Sequence, residues 1–144
     1  NGFPIGAFLA KRKFGEALTA GTHASTFGGT PLACAAAIAV IDSFDDENVL
    51  QNCREMGAYL LQKLSALKAG SDIVKDVRGK GLMVGVVLDR PAGKLLPLLR
   101  EEGVLALSAG ETVLRLLPPL VIKKEEIDLA VAAIGRALAK LPKD

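Results

Sequence analysis

The sequence predicts an α+β fold over residues 46–144, with helices packed on one side of a small antiparallel or mixed sheet. Three observations carry this. The order of elements is helix, strand, strand, helix, strand, strand, helix. The strand candidates are short and rich in Val, Ile and Leu, while the helix candidates repeat apolar residues at three and four. Half of the 144 residues are hydrophobic but only 4% are aromatic, so the core is built from Leu, Val, Ile and Ala. Residues 1–45 do not make a domain by themselves: they supply a strand, a loop and an apolar helix without packing partners.

Ile5-Gly6-Ala7-Phe8-Leu9-Ala10 is short and apolar and follows a Gly/Pro turn, which suggests a buried strand. Residues 11–18 suit one or two turns of helix, and residues 19–30, rich in Gly, Thr and Ser, read as an irregular loop. Thr30 is a natural N-cap and Pro31 suits the first helical position. The helix from Pro31 to Ile41 is apolar nearly all round and is expected to be buried on most sides. Asp45, Asp46 and Glu47 suit the start of a second helix, whose stripe runs Leu50, Cys53, Met56, Gly57, Leu60, Leu64 and Leu67 until Gly70. Strands are expected at residues 73–78 and 82–88, joined through Gly79-Lys80-Gly81. Asp89 and Pro91 open a helix that Gly103 closes. Strands follow at residues 104–107 and 113–117 around the Ala109-Gly110-Glu111 turn. The last helix shows one face of Ile127, Ala130, Val131, Ile134, Leu138 and Leu141.

A net charge of +2, without an Arg/Lys block, gives no basis for binding nucleic acid or an acidic membrane. No apolar run approaches the ~20 residues that span a bilayer. Cys34 and Cys53 lack CxxC spacing and one histidine cannot complete a zinc site, so no metal is expected. The two cysteines are expected to be buried structural thiols in a reducing, cytoplasmic compartment. The chain opens on Asn1-Gly2-Phe3-Pro4, inside what reads as a loop and without a signal peptide, so it is expected to be a fragment.

Chemistry is most concentrated in Gly21-Thr22-His23-Ala24-Ser25-Thr26-Phe27-Gly28-Gly29-Thr30-Pro31. Hydroxyls, paired glycines and a following helix N-terminus are the parts of a phosphate cradle, although Ser/Thr/Gly clusters are more often plain turns. The loop is neither a P-loop nor GxGxxG. His23 reads as a loop hydrogen-bonder, Lys80 as solvated turn charge, and Arg115 as an arginine at a strand edge.

The stretch 21–37 resembles a segment of the class III aminotransferases, fold-type I enzymes that use pyridoxal 5′-phosphate (PLP), in which H-x-S-T-[FY]-G-G-x-P-L leads into a small-residue helix. Gly2-Phe3-Pro4-Ile5-Gly6-Ala7, Val77-Arg78-Gly79-Lys80-Gly81-Leu82 and Leu114-Arg115-Leu116-Leu117-Pro118-Pro119-Leu120 are similar to further motifs of the family, in the same order. The flavour is that of the acetylornithine and ornithine branch. Asn1 in place of a common Gly, Ala24 in place of a frequent Gly and Thr30 in place of a frequent Asn are departures that bear on the substrate rather than the family.

The resemblance implies that residues 1–45 end a large PLP-binding α/β domain and residues 46–144 form a small C-terminal α+β domain. It implies that Thr26 binds the PLP phosphate in the neighbouring subunit's site, that Ser25 borders the substrate pocket, and that the enzyme is a homodimer. It implies that Arg115 pairs with a pocket glutamate or receives the α-carboxylate of 2-oxoglutarate. The Schiff-base lysine, the pyridinium aspartate and the ring-stacking residues would lie upstream of Asn1, so no catalytic residue is assigned here and the chain as given is expected to turn nothing over. The parent reaction would be amino transfer from N-acetylornithine, or a similar ω-amine, to 2-oxoglutarate in arginine biosynthesis, in two ping-pong halves. The rival readings are another class III donor (ornithine, succinylornithine, 4-aminobutyrate, glutamate-1-semialdehyde) and a non-enzymatic α+β ligand-binding or regulatory module.

Overall fold

The computed structural model describes residues 3–142, so Asn1 and Gly2 of the opening motif lie outside the described residues. The chain divides into two compact units, Asn1–Glu47 and Asn48–Asp144.

The first unit holds a single helical turn, α1 (Arg12–Gly15), the irregular loop, and helix α2 (Pro31–Asp46). Three expectations change here. Residues 5–10 form no strand and are exposed, because an isolated extended segment has no neighbour to take its N–H and C=O groups. Helix α2 is not buried on most sides: Leu32, Ile38 and Ile41 are each more than half exposed. Cys34 is exposed on this helix and Cys53 is only half-buried, and both are free thiols, so the expected pair of buried thiols is not found.

The second unit is a four-stranded sheet with helices on one face. In chain order it comprises α3 (Val49–Ala69), β1 (Val74–Lys80), β2 (Met83–Leu88), a 3-10 turn (Ala92–Lys94), α4 (Leu95–Glu101), β3 (Leu107–Ala109), β4 (Val113–Leu116) and α5 (Lys124–Lys140). The strand order is β1-β2-β4-β3 and every pairing is antiparallel, which resolves the antiparallel-or-mixed alternative.

Alternation places the core. Val84, Val86 and Leu88 of β2 and Leu114 and Leu116 of β4 are buried toward the helices. They meet Met56, Leu60 and Leu64 of α3, Leu95 and Leu99 of α4, and Ile127, Ile134 and Leu138 of α5 in one cluster. A register shift between Val74 and Asp76 lets Val74 and Val77, three residues apart, both join that core. The expected stripe of α3 holds from Met56 onward, but Leu50 is 53% exposed.

Boundaries moved in three places. Asp45 and Asp46 close α2 instead of opening the next helix, and α3 starts after Asn48 at φ 50°. β1 runs on through Gly79 and Lys80, so the hairpin turn is Gly81-Leu82, with Gly81 at φ 55°. The third strand lies at Leu107–Ala109, and residues 104–106 stay outside the ladder.

Candidate functional site

Ser25 and Thr26 lie in the irregular loop of the first unit and Arg115 lies on β4 of the second. The structure brings the first two together as chain neighbours. The Ser25 Oγ accepts the backbone N–H of Gly28 at 2.9 Å, which closes a small turn. That turn requires glycine: a Cβ at residue 28 would stand 2.8 Å from the Ser25 Oγ and 2.9 Å from its Cβ. Thr26 is exposed, and its hydroxyl has no hydrogen-bond partner among the described residues.

The loop ends at Thr30, which takes the N-cap position with extended backbone, and Pro31 is in the first turn. The Thr30 hydroxyl does not cap the helix. The first N–H groups of α2 are therefore not satisfied from the N-cap side chain. Neutral hydroxyls and a helix start suit a phosphate dianion, since they donate without adding charge. His23 is exposed, and its ring makes no hydrogen bond among the described residues, so the expected loop bond is not formed. Lys80 ends β1 exposed, as turn charge should be.

Arg115 occupies the centre of β4, paired with Gly85 on one side and Leu107 on the other. Its neighbours Leu114 and Leu116 point into the core, so the Arg115 side chain leaves from the opposite face. It is half-buried and has no hydrogen-bond or ion-pair partner among the described residues. Beside it an open apolar groove of about 920 Å³ is lined by Leu60, Leu96, Leu105, Leu107 and Leu129, with Arg100, Arg115 and Glu126 as its charged members. The planar fork of a half-covered guanidinium with no ion-pair partner among the described residues matches a carboxylate.

The unit holding Arg115 is pinned by polar contacts away from this face. The Asn52 side-chain amide donates to the carbonyls of Leu120 (2.7 Å) and Ile122 (3.2 Å), which holds the Pro118-Pro119 turn after β4 against α3. The Asp128 carboxylate accepts from the Tyr59 hydroxyl at 2.9 Å and pairs with Lys63 at 2.7 Å, joining α5 to α3. The hydrogen bond from Lys63, then that from Tyr59, holds the Asp128 carboxyl below its usual range. These supports were not found from the sequence, because the residues of each pair lie more than sixty positions apart.

Residues 1–138 match the family described as aminotransferase class III. An acetylornithine aminotransferase of Methanosarcina mazei is 52% identical over 136 residues, covering 94% of this chain and 33% of that protein. The acetylornithine aminotransferase structure from Elizabethkingia anophelis superposes with a TM-score of 0.82 at 32% identity, covering 92% of this chain and 36% of that one. The ornithine aminotransferase of Toxoplasma gondii, whose crystals grown with oxidized glutathione show partial PLP occupancy at the active site, gives 0.77 at 34% identity, over 85% and 30%. The chain spans about a third of the length of the curated relatives it matches. With a family match over nearly all of its residues and relatives at this identity, the chain belongs to the class III aminotransferases.

Proposed function

We propose that the chain is the C-terminal part of a PLP-dependent, cytoplasmic acetylornithine aminotransferase that moves an amino group from N-acetylornithine to 2-oxoglutarate in arginine biosynthesis. Residues 1–45 would close its large cofactor-binding domain and residues 46–144 would form its small C-terminal domain. The observation that carries the reading is Arg115, a half-buried guanidinium with no partner among the described residues, on a sheet face that the helices leave open. Such a group is suited to the α-carboxylate of an oxo acid, held by two parallel N–H···O bonds.

PLP, when bound, supplies the electron sink for amino transfer. In this chain, Thr26 would donate its hydroxyl to the cofactor phosphate. Ser25 would keep one O–H for the substrate pocket while its oxygen holds the Gly28 N–H. Both residues would serve the neighbouring subunit of a homodimer. The exposed Leu32, Ile38 and Ile41 of α2 support that arrangement, since an apolar helix gains its burial from a partner. The cofactor-carrying lysine is assigned to a part of the protein outside these residues, so the 144-residue chain by itself is expected to be inactive.

The second reading is ornithine as donor, favoured by the likeness to the Toxoplasma gondii enzyme. The test is glutamate formation from 2-oxoglutarate by the full-length protein with PLP, using N-acetylornithine, ornithine, succinylornithine and 4-aminobutyrate. N-acetylornithine is expected to have a kcat/KM at least about tenfold above the others, a difference of about 1.4 kcal/mol. A preference for ornithine would select the second reading, and no glutamate from any donor would remove both.

A further inference from the structure

Arg115 stands where its strand runs out of partners. The β3 ladder ends at the pair Leu107–Arg115, and the β2 ladder continues only one residue further, to Val84–Leu116. Leu117-Pro118-Pro119 follow, and the two prolines have no N–H to give to a neighbouring strand. A backbone bond from the Ile122 N–H to the Pro119 carbonyl at 3.0 Å closes this turn on itself and ties it to no other element. Burial of Leu116 and Ile122 draws the segment toward the core without fixing its direction, because apolar contact is non-directional. A ladder end of this kind frays unless the chain beyond it is tied down.

The tie is Asn52. From a half-buried position in the first turn of α3, its amide nitrogen donates to the carbonyls of Leu120 at 2.7 Å and Ile122 at 3.2 Å. Two carbonyls facing one short side chain need two donors and no charge, which is what an asparagine amide supplies. The Cys53 thiol, 3.9 Å from the same Leu120 carbonyl, is too weak a donor to replace it. The base of the tie is rigid. α3 buries Met56, Leu60 and Leu64 in the core, and a Cβ on its Gly57 would stand 2.5 Å from the Gly81 backbone of the β1–β2 hairpin. Asn52 thus connects the free end of β4 to a helix seated against the hairpin that pairs with β4.

We propose that Asn52 is a positioning residue for amino transfer: by holding the chain after β4, it keeps the Arg115 fork at the angle that a substrate carboxylate requires. The proposal rests on the reading of Arg115 as a carboxylate site, and it gives Asn52 no contact with substrate or cofactor. A planar fork holds a carboxylate through two parallel N–H···O bonds, so a small tilt of the strand end loses one of them.

The test is a double-mutant cycle in the full-length, PLP-loaded protein, read in the 2-oxoglutarate half-reaction. Asn52→Ala is expected to lower kcat/KM for 2-oxoglutarate about tenfold, through KM, with kcat within about twofold. In an Arg115→Gln background the same change should cost less than about twofold, since no fork is left to tilt. Asn52→Gln, which keeps the amide on a longer stem, should recover part of the loss. Tyr59→Phe removes another polar tie of α3, that to Asp128, and should lower the thermal midpoint without moving KM. An equal loss in both backgrounds, or a loss matched by Tyr59→Phe, would reduce Asn52 to general stability and overturn the proposal. If Asn52→Ala does not fold, Asn52→Ser, with a single shorter donor, takes its place in the cycle. If Arg115→Gln impairs the half-reaction and Asn52→Ala leaves KM unchanged, the role of Asn52 alone is excluded. If Arg115→Gln changes nothing, the reading of Arg115 fails and the proposal falls with it.

Discussion

Glu102 shows how a single side chain ties this small domain together. Its carboxylate accepts from the Lys140 Nζ at 2.6 Å and from the Arg136 Nε at 2.7 Å, which clips the end of α4 to the last turns of α5. The hydrogen bond from Lys140, then that from Arg136, holds its carboxyl below the usual range. A carboxylate with a depressed folded-state pKa stabilises the fold above its unfolded value of about 4.3, and the contribution disappears as the pH falls through the folded value. Glu102→Gln is therefore expected to melt below the native chain at neutral pH and to converge with it in acid, in a series of thermal midpoints from pH 7 to pH 3. A constant offset over that range would mean that the lost contact acts through packing instead. At this scale the sequence was informative in an uneven way. Ser25, Thr26 and Arg115 could be singled out from motifs that resemble a family, whereas composition alone left them as turn and strand-edge residues. Asn52 sat inside a predicted helix without a role, because its bonds to Leu120 and Ile122 exist only once α3 is packed against the turn after β4. The exposure of Cys34 was equally hidden, since a helix of small apolar residues carries no mark of which side finds a partner.

Among the elements, α3 packs backbone to backbone against the β1–β2 hairpin. A Cβ at Gly57 would lie 2.5 Å from the backbone C and O of Gly81. Two opposing effects meet there. Replacing a helical glycine by alanine gains about 1 kcal/mol of helix propensity. Forcing a methyl group into backbone that cannot yield costs about 1–3 kcal/mol or more. The clash wins, because both groups belong to well-packed elements. With the propensity gain set against the clash, Gly57→Ala is expected to destabilise the domain by about 1–2 kcal/mol in urea unfolding. Gly135→Ala on α5, where the new methyl meets only the end of the Leu67 side chain, its Cδ1, at 3.3 Å, should be near neutral or slightly stabilising. The reverse order of the two effects would contradict the packing described. Element existence was legible wherever period and punctuation agreed, as in α5 and β2. It failed where one signal served two purposes. The acids at residues 45–47 suit a helix start, yet two of them end α2, because Asn48 takes a left-handed conformation that short polar side chains tolerate. Residues 5–10 have a strand's composition but no strand beside them, and a ladder needs two members.

For the whole chain, the order of elements from α3 to α5 was enough to predict an α+β layer, and the structure has one. It was not enough to predict that β4 lies between β2 and β3, which depends on how the connection through α4 packs. That arrangement matters for function, since it puts Arg115 in the interior of the sheet, flanked by strands on both sides, and leaves its face free. The central claim is that this arginine receives the carboxylate of the amino acceptor. It is tested most directly by measuring the two half-reactions separately in the full-length, PLP-loaded protein and its Arg115→Gln variant. The account predicts that kcat/KM for 2-oxoglutarate falls by about a hundredfold or more, as expected for a lost bidentate ion pair worth about 3 kcal/mol. A fall confined to the N-acetylornithine half-reaction, or no fall in either, would contradict it.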